Sequence, residues 1–216
     1  EQQNNKLIRQ FCQSGFNEIN NAFSEAILQQ NSELVVLLGT ECLTDSEKGS
    51  LYSATALAML KHHNQELADS YFSVGFDINS PINYSAPALH QAVAVGDLWQ
   101  VEYLLNKGAD TRTLEYYDPL ISQAIRGESE ALALLLAKSG APTIKTGDYN
   151  PTQPIDLAID YGMAELYAYL LGSGLTPVMT YAEKCDQARD GGDLRLLTGC
   201  AQHGYLDNLD AYLGGA

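Results

Sequence analysis

Apolar pairs and glycines recur along this chain at a fixed interval. Two adjacent apolar residues stand a few positions before a glycine at four places, residues 71–75, 104–108, 135–140 and 170–174. The four closing glycines are 33, 32 and 34 residues apart. Self-similarity at a fixed period is typical of a stack of small units, each of which buries its apolar face against its neighbours. The pattern therefore predicts a repeat protein.

A second set of glycines divides each repeat into two helices. The glycines that precede the closing ones by 12 or 13 residues are Gly96, Gly127, Gly162 and Gly192. Each pair of glycines is predicted to bracket a short second helix, because glycine adopts the left-handed conformation that ends a helix. The first helix opens near a proline, which suits a first helical turn. These prolines are Pro87, Pro119 and Pro154.

Short motifs give this repeat a resemblance to the ankyrin family. The stretch Leu89-His90-Gln91-Ala92 is similar to the ankyrin motif T-P-L-H-x-A, and residues 75–79 and 108–110 are similar to the ankyrin G-A-D-x-N finger. The resemblance implies an all-α ankyrin-repeat solenoid of about six helix-turn-helix repeats, with short β-hairpin-like fingers and divergent capping repeats. It also implies that His90 braces its turn by bonding nearby backbone.

The pattern weakens towards both ends, as expected for terminal repeats whose outer faces meet water. We predict one domain over 1–216, with a divergent cap and first repeat in 1–49, well-matched repeats in 50–177 and a last repeat with its cap in 178–216. Residues 16–41 are predicted to form two helices, followed by a loop over 43–50, and residues 205–213 to cap the end. The apolar residues that support the terminal units are Ala22, Phe23, Ala26, Ile27, Leu34, Val35, Leu37 and Leu38 in the first, and Ala188, Leu194, Leu196 and Leu197 in the last.

Four cysteines fall in the two divergent ends, and their spacing predicts the disulfides Cys12–Cys42 and Cys185–Cys200. In the second pair both positions match the repeat register of core residues on facing helices, where a disulfide is geometrically reasonable. The alternative is four buried, reduced thiols. Disulfides would indicate an oxidising compartment such as the periplasm, whereas reduced thiols would indicate the cytoplasm.

The charge balance bears on the partner. Lys and Arg total 12 against 27 Asp and Glu, a net charge of −15. This field repels phosphate backbones and favours a basic surface, so nucleic acid is not an expected partner. The alternative is that acidity only keeps the free protein soluble and monomeric. No apolar run is long enough to predict a transmembrane segment. The first residue is Glu1 rather than Met, which a removed signal peptide or lipoprotein leader would explain.

Candidate chemistry is sparse. His62 and Glu66 stand one helical turn apart, but two such groups do not complete a metal site. We find no glycine-rich phosphate loop and no G-x-S-x-G motif. The sequence therefore predicts no catalytic residue and no cofactor, and an enzyme is not expected.

The ankyrin resemblance implies a binding face, since ankyrin domains hold partners through their finger tips and the exposed ends of their first helices. The finger residues are Asn83, Tyr84, Glu115, Tyr116, Tyr117, Tyr149 and Asn150, and the helix-end residues are His62, His63, Arg126, Asp160, Tyr161 and Asp190. The set is rich in tyrosine, which is frequent at interface hot spots. Tyrosines that brace adjacent fingers are the alternative.

Three functions fit these features. The first is an inhibitor in the bacterial envelope, loosely similar to ankyrin-containing immunity proteins that neutralise secreted antibacterial effectors, including phospholipase effectors of type VI secretion. The second is an intracellular adaptor or scaffold with reduced cysteines. The third is a periplasmic accessory protein that supports an enzyme such as a catalase.

Overall fold

The computed structural model describes residues 7, 10–13, 15–82, 86–112, 119–144, 152–202 and 204–205. Helices dominate these ranges, and the predicted all-α class is confirmed. The one pairing of extended chain found in them is an antiparallel bridge between Pro81 and Pro87. None of the helices in these ranges has both the length and the apolar composition needed to cross a bilayer.

The helices come in consecutive pairs joined by short turns. They are α1 (Phe16–Leu28) and α2 (Ser32–Glu41), α3 (Asp45–Leu60) and α4 (Gln65–Ser73), α5 (Ala88–Val95) and α6 (Leu98–Asn106), α7 (Leu120–Arg126) and α8 (Glu130–Lys138), α9 (Pro154–Asp160) and α10 (Ala164–Gly172), and α11 (Tyr181–Gly191) and α12 (Leu194–Gln202). The second helices α6, α8, α10 and α12 lie between the glycine pairs, as the sequence predicted.

The chain divides into two compact units. The first comprises residues 1–92 and 97–110, and the second comprises residues 93–96 and 111–216. In the first unit α1 packs on α2 and α3, and α4 packs on α2 and α3. In the second unit α9 packs on both α7 and α11, α8 packs on α10, and each first helix packs on the second helix of its own pair. Each unit therefore has a layer of first helices and a layer of second helices.

A left-handed residue precedes every second helix. These residues are Gln30 (φ 52°), His63 (φ 49°), Gly96 (φ 78°), Glu128 (φ 59°), Gly162 (φ 70°) and Gly192 (φ 73°). The sequence prediction placed Gly127 in this register, which is wrong by one residue. Gly127 has φ −76° and follows α7 with near-helical geometry, so the reversal of the chain falls on Glu128.

In five of the six described pairs, the residue after the left-handed position caps the second helix. Asn31, Asn64, Asp97, Ser129 and Asp193 each accept a hydrogen bond from a backbone N–H three residues later. Such caps satisfy helix N–H groups that have no partner within the helix. Met163 cannot accept a hydrogen bond in this way. In its place the Oε1 atom of Glu130 accepts from the backbone N–H of Leu166 at 3.0 Å.

Two expectations about the ends of the chain are corrected. The predicted loop over 43–50 is mostly the start of α3, because Thr44 and Glu47 form a capping box that begins the helix at Asp45. In the last pair Leu196 and Leu197 are buried as predicted, but Leu194 is 57% exposed. The helices predicted within residues 16–41 are present as α1 and α2.

Aromatic rings fill the core of the first unit. Tyr71 and Phe76 stack with their ring centroids 4.2 Å apart, and Phe23 and Tyr52 pack around them. The Tyr71 hydroxyl lies 2.8 Å from that of Thr55 and the Tyr52 hydroxyl donates to the carbonyl of Ile78, so these buried polar atoms are paired. Burial raises the pKa of both phenols far above its ordinary value.

Both predicted cysteine pairs are at disulfide distance. The Cα atoms of Cys12 and Cys42 are 4.7 Å apart, and those of Cys185 and Cys200 are 6.0 Å apart. Cys185 and Cys200 are fully buried between α11 and α12, as their repeat register predicted. The structure therefore agrees with two disulfides rather than with the alternative of four reduced thiols.

The disulfide of the last pair gives the first testable prediction. We expect the double variant Cys185→Ser, Cys200→Ser to lose about 3 kcal/mol of unfolding free energy, because the bond closes a 15-residue loop in the unfolded chain. Urea unfolding of oxidised protein and variant measures the loss. Thiol titration of the denatured, unreduced protein should find no free thiol, and four free thiols would contradict the pairing.

The corrected register gives the second prediction. Gly192→Ala should cost about 1 kcal/mol of unfolding free energy or more, since alanine resists its left-handed φ even though the added Cβ meets no atom within 4 Å. Gly127→Ala should change stability by less than about 0.5 kcal/mol, because φ there suits any residue. Urea unfolding compares them, and equal losses would contradict the assignment of the turn to Glu128.

Candidate protein-binding site

The predicted finger residues lie outside the described parts of the chain. They are Asn83, Tyr84, Glu115, Tyr116, Tyr117, Tyr149 and Asn150. The tyrosine-rich part of the face therefore stays a prediction. The six helix-end residues are described, two in the first unit and four in the second.

In the first unit, His63 is engaged in a contact between helix pairs. Its Nε2 atom lies 2.7 Å from Oδ2 of Asp97, and its ring centroid lies 5.0 Å from that of Trp99. Trp99 in turn stacks on Tyr103, with centroids 5.4 Å apart. His62 is half-buried. Trp99 thus has ring contacts on His63 and Tyr103, which agrees with a role in packing.

Polar contacts join the first-unit pairs at equivalent positions. The Gln30 side chain accepts from Asn64, 34 residues later, and the Tyr103 hydroxyl donates to Asp69, again 34 residues away. The Asp69 carboxylate also pairs with Lys107 at 2.8 Å. A separation of 34 residues, one more than the spacing of the capping residues Asn31 and Asn64, means that each contact joins one position to the following position of the next pair. Both contacts therefore follow the same register between neighbouring pairs.

Asp69 and Asp97, which take part in these contacts, have lowered pKa values. The hydrogen bond with Lys107 is the main cause at Asp69, and the Tyr103 hydroxyl adds to it against the effect of burial. At Asp97 burial alone would raise the pKa, but hydrogen bonds from Gln100 and His63 more than offset it. Both groups are therefore stabilised as carboxylates in the folded state.

In the second unit, the predicted helix-end residues lie on neighbouring first helices. Asp160, the last residue of α9, accepts from Nζ of Lys184 on α11 at 2.7 Å. The ring of the half-buried Tyr161 is covered by the guanidinium of Arg195, 5.3 Å from the ring centroid. Arg195 also pairs with Glu128, the left-handed residue before α8.

Arg126 at the end of α7 and Asp190 near the end of α11 are both exposed. Because α9 packs on both α7 and α11, the ends of three first helices contribute to one face of the second unit. This face is called the helix-end face below, and its predicted members are Arg126, Asp160, Tyr161 and Asp190.

Two grooves meet at Asp160, which is a member of the helix-end face. The larger has a volume of about 300 Å³ and is called the Asp160 groove below; it is lined by Thr152, Gln153, Asp156, Asp160, Val178, Met179 and Lys184. The second has a volume of about 280 Å³ and is lined by Asp160, Lys184, Gln187, Ala188, Gly191, Asp193 and Leu196. Asp160 and Lys184 belong to both, so their ion pair separates the two grooves.

Sequence reasoning missed Asp156, Val178 and Lys184. Val178 is 90% exposed, and its backbone N–H donates to Oδ1 of Asp156 at 2.7 Å. The signal was present, since Val178 stands four residues after the closing Gly174, and the exposed Ile144 stands four residues after Gly140. An apolar residue at this register in two consecutive repeats has no core to fill.

The chain matches no protein-family model, and no curated protein matches it significantly. Its function is therefore inferred from the contacts and charges of its own residues.

Acid should weaken the first unit through Asp97, which is the third prediction. The pKa of Asp97 in the folded protein lies below the ordinary 3.8. Asp97 therefore binds a proton more readily in the unfolded chain than in the folded one. The unfolding free energy thus decreases as the pH falls from above 3.8 through the folded-state pKa. Asp97→Asn keeps a side-chain oxygen to cap Gln100 but removes the charge. Between pH 5 and about pH 2, we expect the unfolding free energy of this variant to decrease less than that of the original protein.

Urea unfolding at a series of pH values measures this effect. Glu102→Gln, a change at an exposed position on the same helix, is the matched control and should keep the acid sensitivity of the original protein. If Asp97→Asn retains the same dependence on pH, the Asp97 contacts are not its source.

Proposed function

We propose that this chain is an ankyrin-repeat protein-binding module that acts as an inhibitor in a bacterial envelope. The observation that carries the proposal is the recurring turn, in which a left-handed residue and a capping position precede each second helix. Helix pairs with a period near 33 residues are the organisation of ankyrin proteins. Stacked pairs of this kind build extended binding surfaces.

The cysteine pairing supports a location outside the reducing cytoplasm. Two cysteine pairs lie at disulfide distance, one between α11 and α12 and one between residues 12 and 42. Disulfides persist in oxidising compartments such as the bacterial periplasm. The proposed location is therefore the periplasm, either free or anchored through a lipid.

Charge supports a basic protein as the partner. The chain carries a net charge of −15, and the helix-end face carries exposed carboxylates at Asp160 and Asp190. Complementary charge speeds encounter more than it adds affinity, while a rigid scaffold reduces the entropy lost on binding. Within this class of partner we propose a secreted antibacterial effector enzyme, such as a phospholipase, whose active-site mouth or lid the face would cover.

The fourth prediction tests this function. The proposed partner is the protein encoded by the gene next to the gene for this chain. The oxidised protein should form a complex with this partner on size-exclusion chromatography and inhibit its enzymatic activity. The charge-reversed variant Asp160→Lys, Asp190→Lys should bind roughly tenfold more weakly, mainly through slower association at low salt. Surface plasmon resonance measures the rates.

The control variant makes the same change in charge on second helices. Glu102→Lys, Glu165→Lys alters exposed positions of α6 and α10, outside the helix-end face. It should keep most of the affinity. Equal loss in both variants would mean that net charge alone drives association, and absence of any complex would refute this partner.

A further inference from the structure

The Asp160 groove combines charged and apolar side chains. The carboxylates of Asp156 and Asp160 and the ammonium of Lys184 line it together with Val178 and Met179. All of its lining residues belong to the second unit, and they come from α9, from α11 and from the residues just before each of these helices. A groove of this kind suits a side chain that is a long hydrocarbon with a cationic tip.

The carboxylate of Asp160 already holds an internal cation. Nζ of Lys184 lies 2.7 Å from Oδ1 of Asp160, and both side chains are partly exposed. Exposed lysine–carboxylate pairs contribute little to stability because water competes for both groups. The Lys184 ammonium is therefore displaced at low cost. The second groove, which Lys184 also lines, offers it the carboxylate of Asp193.

Arginine is the cation best suited to displace Lys184. Its planar guanidinium donates two parallel hydrogen bonds to one carboxylate, whereas the lysine ammonium acts as a point charge. Arginine is also less strongly hydrated than lysine, so it loses less on entering a groove. A guanidinium from another protein can thus take the place of the internal ammonium at Asp160.

The exposed apolar residue Val178 stands on backbone that is held in place. The hydrogen bond from the Val178 N–H to Asp156 fixes the segment that presents the Val178 side chain to solvent. Ile144 is exposed at the same register of the preceding repeat. A segment whose backbone is already held loses less entropy when a partner covers it.

We propose that the Asp160 groove binds an arginine side chain of the partner, flanked by apolar residues, with Lys184 as the internal cation that it displaces. The guanidinium pairs with Asp160, the arginine methylenes lie against Met179, and an apolar neighbour covers Val178. This inference rests on the proposed protein-binding function and specifies the chemistry of the segment that is recognised. The excess of acidic residues in the chain favours such a basic segment.

The fifth prediction concerns peptide binding to the groove, which the methyl resonances of the three methionines can report. Met59 and Met163 are buried, whereas Met179 lines the groove. The oxidised full chain with 13C-methyl methionine is titrated with the tripeptide N-acetyl-Leu-Arg-Leu-amide. The Met179 methyl resonance should shift with a dissociation constant on the order of 1 mM, while those of Met59 and Met163 stay unchanged.

Variants and a neutral peptide test the role of each charge. Asp160→Asn should weaken peptide binding by roughly fivefold or more, and Lys184→Ala should strengthen it by about threefold, because the competing ammonium is gone. A second peptide has the neutral residue citrulline in place of arginine. Its affinity for the original protein should be as low as the affinity of the arginine peptide for the Asp160→Asn variant. Equal binding of the two peptides, or no effect of Asp160→Asn, would overturn the proposal.

Controls separate loss of the groove from loss of the fold. Both substituted side chains are partly exposed, so the urea midpoints of the two variants should match that of the original protein, and the buried methionine signals should be unchanged. Partner binding that survives Asp160→Asn at full strength would refute the groove while leaving the protein-binding function intact. Peptide binding without a partner complex would support the groove and contradict the proposed partner.

Discussion

The turn between the two helices of each pair is the constraint on which the rest of the structure depends. One residue adopts a left-handed conformation, and the next caps the second helix. For a residue other than glycine this conformation costs about 1–2 kcal/mol. The three non-glycine residues that adopt it each contact another helix pair: Gln30 contacts Asn64, His63 contacts Asp97 and Glu128 contacts Arg195. Each of these strained turns therefore also takes part in a contact between pairs.

The same turn aligns the helices into layers. Because the pairs within the first unit reverse at a common register, neighbouring positions of consecutive pairs come together, and side chains about one repeat apart form hydrogen bonds. Asp69 illustrates the effect, since it contacts both Tyr103 and Lys107 of the next pair. Where the capping residue is Met163, the preceding pair supplies Glu130 in its place. Packing between pairs therefore replaces a local signal where that signal fails.

The Asp160 groove is a consequence of this layering. Because neighbouring first helices of the second unit pack together, residues that are distant in sequence meet, as Asp160 at the end of α9 does with Lys184 in the first turn of α11. Exposed ion pairs of this kind are weak. Val178, by contrast, is presented on backbone held by Asp156. The groove therefore combines a weak ion pair with an exposed apolar side chain on backbone that is held by a hydrogen bond.

The sequence by itself determined the helical class, the alternation of first and second helices and both cysteine pairs. These features depend on local chemistry and on period, which glycine, proline and apolar spacing record directly. Tertiary structure decided what depends on contacts across pairs. Examples are the left-handed role of Glu128 in place of Gly127, the engagement of His63 with Asp97, and the exposure of Leu194. A side chain's neighbours in another helix pair are set by how the pairs pack, and no spacing within one repeat specifies that packing.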